Sequence, residues 1–100
     1  MITEKITIPQ QSDMEMGFGV FEGAEGKPLK EILKFIIENV DDWGVCTIAN
    51  DEGIIRKFDY DLFNNNIFYC DLTSWELELK VKEAKFSYCH MSRDMIIKVE

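Results

Sequence analysis

One segment of the chain has the apolar spacing of an amphipathic helix. From residue 28 to residue 43, apolar side chains recur at intervals of three and four, as they do along one face of a helix. Pro28 suits the first turn, because its missing N–H is not needed there, and Gly44 suits a left-handed C-terminal cap. The pattern predicts a helix of about sixteen residues. Its apolar stripe is Leu29, Ile32, Leu33, Ile36, Ile37, Val40 and Trp43.

The segments on either side of this helix have the shorter spacing of strands. Residues 2–8 and 14–22 alternate large apolar positions with polar ones or glycine, which predicts two strands before the helix. Residues 45–49 and 54–60 predict a hairpin, because the connection between them ends in Gly53, which can supply a positive φ. A further strand is predicted after Asn66, over residues 67–72.

The rest of the chain alternates most regularly, but with a change of parity. Trp75, Leu77, Leu79 and Val81 predict one strand face, whereas the apolar positions that follow are the even-numbered Ala84, Phe86, Tyr88 and His90. Because a one-residue slip moves every later side chain to the other face, a bulge or tight turn is predicted near Lys82–Glu83. Residues 95–99 then predict a final strand that closes a hairpin.

Together these elements predict an α+β fold. The expected architecture is a curved, mostly antiparallel sheet of about six to eight strands in the order ββαβββββ, packed on a single amphipathic helix. With 100 residues and 46% hydrophobic residues, we expect a single domain over residues 1–100. One helix covers one face of such a sheet, so the other face is expected to be solvated or to bind a partner.

Charge narrows the choice of partner. The chain has 19 acidic and 11 basic residues and a net charge of -8, all of it within residues 1–72. This balance argues against direct binding to nucleic acid or to an anionic membrane, since phosphate binding needs a basic surface. The start of the chain alternates and lacks the apolar stretch of a secretory signal. Together with three cysteines, an odd number, this predicts a cytoplasmic protein with reduced thiols.

The sequence contains no strong catalytic or metal-binding motif. Gly17, Gly19, Gly23 and Gly26 match no phosphate-binding pattern and are interpreted as structural. Cys46 and Cys89 are interpreted as core residues, and no metal or cofactor is expected. The protein is therefore expected not to be an enzyme. The alternative is a small ligand-binding or enzymatic domain that uses the concave side of the sheet near His90 and Tyr88.

Acidic and aromatic residues alternate in one part of the sequence. Acids follow the helix and run through the predicted hairpin, with aromatic residues interleaved after it. Aromatic residues supply buried area in an interface and carboxylates pair with Arg and Lys, so this composition favours binding to a basic protein surface, for example that of a nucleic-acid-handling enzyme. The candidate partner-binding residues are Asp41, Asp42, Asp51, Glu52, Asp59, Tyr60, Asp61 and Phe63.

These properties favour a non-catalytic acidic binding or inhibitor protein. Immunity proteins against toxic nucleases, and phage inhibitors that imitate nucleic acid, are similarly short, compact and acidic. The comparison is an analogy in composition, and no motif of either class is present.

Overall fold

Six strands and two helices make up the described part of the chain. The computed structural model describes residues 1–11, 16–40, 43–59, 72–89 and 92–100. The α+β class is confirmed, in the order ββαββαββ. The strands are β1 (Thr3–Gln11), β2 (Met16–Glu22), β3 (Trp43–Asn50), β4 (Gly53–Asp59), β5 (Val81–Cys89) and β6 (Ser92–Val99), and the helices are α1 (Leu29–Asn39) and α2 (Ser74–Leu77).

The six strands form one mixed sheet in the order β1-β2-β5-β6-β3-β4. Every neighbouring pair is antiparallel except β3 and β6, which run parallel with Thr47 opposite Ile96. The prediction of a mostly antiparallel sheet is therefore confirmed. The sheet begins and ends with β1 and β4, so the two strands of the β3–β4 hairpin reach the rest of the sheet through β6.

Helix α1 covers one side of the sheet, which we call the inner face. Its stripe of Leu29, Ile32, Leu33 and Ile36 is completely buried, as its spacing predicts. Alternate side chains of the strands complete this core, because successive residues of a strand point to opposite faces. The largest inner-face side chains are Phe21, Ile48, Phe58, Phe86, Met95, Ile97 and Val99, all buried. We call the opposite side of the sheet the outer face.

The helix is shorter than its apolar stripe predicts. Pro28 precedes it with an extended backbone, and the Leu29 N–H is satisfied by the carbonyl oxygen of Leu79 at 2.7 Å. Val40 ends it, with φ -105° and ψ 105°. Trp43 and Gly44 already belong to β3, so the prediction of a cap at Gly44 is wrong. The apolar stripe extends beyond the helix because Val40, which follows its last residue, has an extended backbone and still packs its side chain into the same core.

The prediction of a single helix is also wrong, since α2 occupies part of the segment predicted as a strand. Thr73 and Glu76 form a capping box, in which each side chain satisfies a backbone N–H of the other residue. This local pair fixes a helical turn, and strand geometry begins only at Val81. The alternation predicts that Trp75 shares an apolar face with Leu77, Leu79 and Val81, but Trp75 is 66% exposed.

The predicted irregularity near Lys82–Glu83 is confirmed. Val81 pairs with Val99 and Glu83 pairs with Lys98, so one residue of β5 has no counterpart on β6. This bulge at Lys82 restores the inward direction for Ala84 and Phe86.

Two glycines of β2 allow aromatic side chains of β5 to lie flat on the sheet. Gly19 pairs with Phe86 and Gly17 pairs with Tyr88. A Cβ atom added at Gly19 would overlap the Phe86 ring and lie 2.7 Å from the carbonyl oxygen of Lys5, too close for any side chain. Gly17 and Gly19 therefore have a structural role, as predicted, because a side chain at either position would collide with the aromatic ring opposite it.

Candidate functional site

The structure separates the predicted partner-binding residues that it describes. Asp51 and Glu52 form the turn of the β3–β4 hairpin, where Asn50 pairs with Gly53. Asp59 pairs with Val45 at the open end of the same hairpin, six residues from Gly53 and therefore roughly 20 Å away. The other predicted residues, Asp41, Asp42, Tyr60, Asp61 and Phe63, lie outside the described residues.

The hairpin turn carries a partly neutralised charge. The Glu52 N–H donates to the side-chain oxygen of Asn50 at 2.9 Å, and Gly53 has φ 138°, as the turn requires. The carboxylate of Asp51 lies 3.4 Å from the ammonium group of Lys82. Both side chains are exposed, so this ion pair adds little stability, but it offsets the charge that Asp51 presents.

The open end of the hairpin lies at one end of the sheet, where a terminus of each of the six strands lies at nearly the same level. We call this end of the sheet the Asp59 end. The pairing register puts one terminus of each strand side by side across the sheet. Each of these six residues pairs either with the terminus of the neighbouring strand or with a residue within two positions of that terminus. They are Gln11, Met16, Cys89, Ser92, Trp43 and Asp59.

The sequence stretches that adjoin the Asp59 end carry most of the net charge. These stretches, residues 12–15, 41–42, 60–71 and 90–91, contain six acidic residues and no Lys or Arg. The described residues contain thirteen acidic and eleven basic residues. Three quarters of the net charge of -8 is therefore contributed by chain that begins or ends beside this row of strand termini.

The described side chains near the Asp59 end differ in how they are paired. The Asp59 carboxylate is exposed and forms no ion pair with a described residue. Asp94 accepts a hydrogen bond from the Val45 N–H at 3.0 Å. Glu4 lies 3.0 Å from the Arg93 guanidinium group. Asp59 is therefore the described carboxylate at this end that is most available to a partner.

At the alternative site predicted near His90 and Tyr88, the described side chains pack against one another and form no reactive pair among themselves. His90 lies outside the described residues. Tyr88 is half-buried, covers Gly17, and has its ring centroid 6.3 Å from that of Phe86. Arg93 lies over the Phe86 ring at 5.5 Å, which is a cation–π contact. Within the described ranges, no group of three or more His, Cys, Asp or Glu side chains is placed to hold a metal ion.

The two described cysteines differ in environment, and neither is in a disulfide. Cys46 is fully buried on the inner face, as expected, and burial raises the pKa of its thiol to about 12. Cys89 is exposed at the end of β5, so its interpretation as a core residue is wrong. It lies on the outer parity of the strand, opposite to Phe86. The third cysteine, Cys70, is outside the described residues.

We expect these environments to give different thiol reactivities. In the native protein at mildly alkaline pH, a thiol reagent should modify Cys89 quickly and Cys46 only after unfolding, since the thiolate is the reactive species. Mass spectrometry of peptides at successive times measures both rates. Native modification of Cys46 as fast as Cys89 would contradict its burial. After denaturation all three cysteines should react, as reduced thiols do.

One surface of the structure was not predicted. On the outer face, Phe18 and Ile96 are each 53% exposed and stand on either side of an apolar hollow of about 410 Å³. Alternation in β2 puts Phe18 opposite to the glycines, and this signal was available in the sequence. The position of Ile96 beside it depends on the pairing of β5 with β2 and β6, which local patterns do not specify.

Comparison with known proteins adds no relative. No family model matches the sequence, and neither a curated protein nor a solved structure is detectably similar to it. None of the helices in the described ranges is long and apolar enough to cross a membrane. The function is therefore argued from charge, exposure and contacts alone.

Proposed function

We propose that this protein is a non-catalytic binding protein that presents the acidic Asp59 end of its sheet to a basic site on a larger protein. The observation that supports the proposal is the distribution of charge. The stretches adjoining this end contribute six acidic residues without a single Lys or Arg, whereas the described part of the chain is nearly balanced.

Such an arrangement favours fast recognition of a basic partner. Electrostatic complementarity acts mainly on the association rate, because it attracts the partner before contact. Asp59 is exposed and has no ion pair with a described residue, and Asp41, Asp42 and Asp61 are close to strand termini of the same end in sequence. Tyr60 and Phe63 supply aromatic groups to the interface in this proposal.

The Asp51–Glu52 turn is not part of the proposed interface. It lies at the far end of the hairpin, and Lys82 offsets its charge. In this proposal the sheet curves around α1, and the protein acts in the cytoplasm as an inhibitor of a nucleic-acid-handling enzyme, in the manner of an immunity protein. The partner is a protein with a basic surface, since a net charge of -8 disfavours binding to a phosphate backbone.

The test removes charge from one end of the sheet at a time. Changing Asp41, Asp59 and Asp61 to Asn should slow association with the basic partner by about tenfold or more, and the effect should shrink as salt rises. The matched control changes Glu25, Asp51 and Glu52 to Gln, Asn and Gln, which removes the same charge far from the Asp59 end.

Because the partner is unidentified, the immobilised wild-type protein and the two variants serve as parallel baits in an extract of the source cell. Basic proteins should be retained by the wild type and the control, and lost from the Asp41, Asp59 and Asp61 variant. Binding kinetics of the captured protein then give the association rates. Capture of no basic protein, or equal rates for the two variants, would reject the proposal.

A further inference from the structure

The outer face of the sheet exposes two large apolar side chains, Phe18 and Ile96, near its middle. Helix α1 covers the inner face, and no described element covers the outer one. In the middle of the outer face, Val20 pairs with Lys85 and Lys85 pairs with Ile96, so these side chains form one row across three strands. Phe18 projects beside this row. Large apolar groups exposed together at the centre of a face indicate an interaction surface.

The same face contains a hollow that fits its own most exposed aromatic group. The hollow of about 410 Å³ lies between Phe18 and Ile96, with Val20 and Ser87 also among its lining residues. Pockets that bury whole small ligands start at about 300 Å³, so the hollow can accept one phenylalanine side chain. A protruding group beside a hollow of suitable size is complementary to a second copy of itself under two-fold rotation.

Charge distinguishes a second copy from other partners. Although the chain carries -8, the described charges of the outer face balance, and two of its ion pairs, Lys5–Glu22 and Lys85–Glu83, each have a separation of 3.4 Å. Two such faces can therefore approach without net local repulsion, whereas an acidic or basic partner gains nothing from this face. Among the described residues, the charged groups of the outer face are Lys5, Lys57, Lys85 and Lys98 with Glu22, Asp59, Glu83 and Asp94.

The area of the outer face approaches what a stable pair needs. Six strands spaced about 4.8 Å apart and seven to nine residues long give an outer face of roughly 600 Å² in projection. Side-chain relief adds to this, and specific interfaces bury about 800 Å² per partner.

We propose that two copies of this chain pack outer face to outer face about a two-fold axis, with Phe18 of each copy in the hollow of the other. The two sheets then form a sandwich, whose layers lie about 10 Å apart with strands crossing at about -30°. This dimer goes beyond the proposed function and does not depend on it, since Phe18, Ile96 and the hollow between them are not among the groups of the Asp59 end.

Sedimentation equilibrium and light scattering test the dimer. The wild-type protein should have twice the chain mass of 11.7 kDa. The double variant Phe18→Thr with Ile96→Thr keeps the charge and the strand preference and should raise the dimer Kd by about thirtyfold or more, as for the loss of central interface groups. The matched control is Trp75→Ser, which removes an exposed aromatic group on α2 and should leave the Kd unchanged. Circular dichroism and thermal melts establish that each variant is folded.

Salt separates this proposal from the previous one. Because each copy carries -8, added salt screens the overall repulsion and should tighten the dimer, whereas it weakens binding to a basic partner. A wild-type protein that stays monomeric up to about 1 mM, which corresponds to a very weak interaction, would overturn the proposal. So would a dimer that the Phe18 and Ile96 substitutions leave intact, or one that salt dissociates.

Discussion

Replacing Ile36 with alanine is expected to lower the free energy of unfolding by about 2–5 kcal/mol, against a total of about 5–15 kcal/mol for a protein of this size. Ile36 is completely buried in the stripe of α1 that faces the sheet. Truncation removes buried methyl and methylene groups and leaves a cavity that the surrounding side chains fill only in part. Urea denaturation followed by circular dichroism measures the change.

The matched control is Lys34→Ala, an exposed position on the same helix. Alanine has at least the helix preference of lysine, so this change should alter the free energy of unfolding by less than about 0.5 kcal/mol. If Ile36→Ala and Lys34→Ala have equal effects, α1 does not contribute its stripe to the core.

Replacing Glu76 with alanine is expected to lower the free energy of unfolding by about 1–3 kcal/mol near neutral pH. Its side chain is buried, and one oxygen accepts hydrogen bonds from the Thr73 N–H at 3.0 Å, the Thr73 hydroxyl at 2.9 Å and Arg56 at 3.3 Å. Glu76 therefore holds α2 both to its N-cap residue Thr73 and to strand β4. Removing the acceptor leaves these donors without their partner.

The contribution of Glu76 should depend on pH in a defined direction. The Thr73 backbone N–H lowers the pKa of Glu76 most; burial opposes this shift, and the Thr73 hydroxyl and Arg56 lower the pKa further. Because the folded-state pKa lies below the unfolded value, the stabilisation is present above the ordinary glutamate pKa and is lost as pH falls through the folded-state value.

Unfolding curves of the wild type and Glu76→Ala should therefore converge as the solution becomes more acidic. Glu76→Gln keeps an acceptor oxygen but cannot titrate, so its stability should not show this part of the pH dependence. A gap between wild type and Glu76→Ala that widens on acidification would contradict the assignment.

Features of the fold that depend on local pattern could be predicted from the sequence. The stripe of α1 follows from 3.6-residue periodicity, and the β3–β4 hairpin follows from its turn at Gly53. The bulge at Lys82 was predictable because the apolar parity changes there. Helix α2 was missed because Trp75, Leu77, Leu79 and Val81 alternate like a strand. The capping box of Thr73 and Glu76 was the available signal for a helical turn.

Features that depend on distant segments could not be predicted. The parallel pairing of β3 with β6, and the neighbours of β5, follow from how the whole sheet assembles. The outer-face hollow exists only because of this strand order. The separation of Asp51 from Asp59 is different, since the predicted hairpin itself puts one at the turn and the other at the open end.

The position of β6 in the sheet has a consequence for synthesis and folding. This strand lies between β5 and β3, and its partner Thr47 is about 50 residues from Ile96, a long loop to close. Before β6 has emerged from the ribosome, the β1–β2 and β3–β4 hairpins can form. The strand that connects the two parts of the sheet is still missing at that stage. Each then has open strand edges, which invite pairing with other chains. The nascent protein should therefore depend on chaperones until β6 emerges, and the joining of the two parts of the sheet should be the slow step of folding.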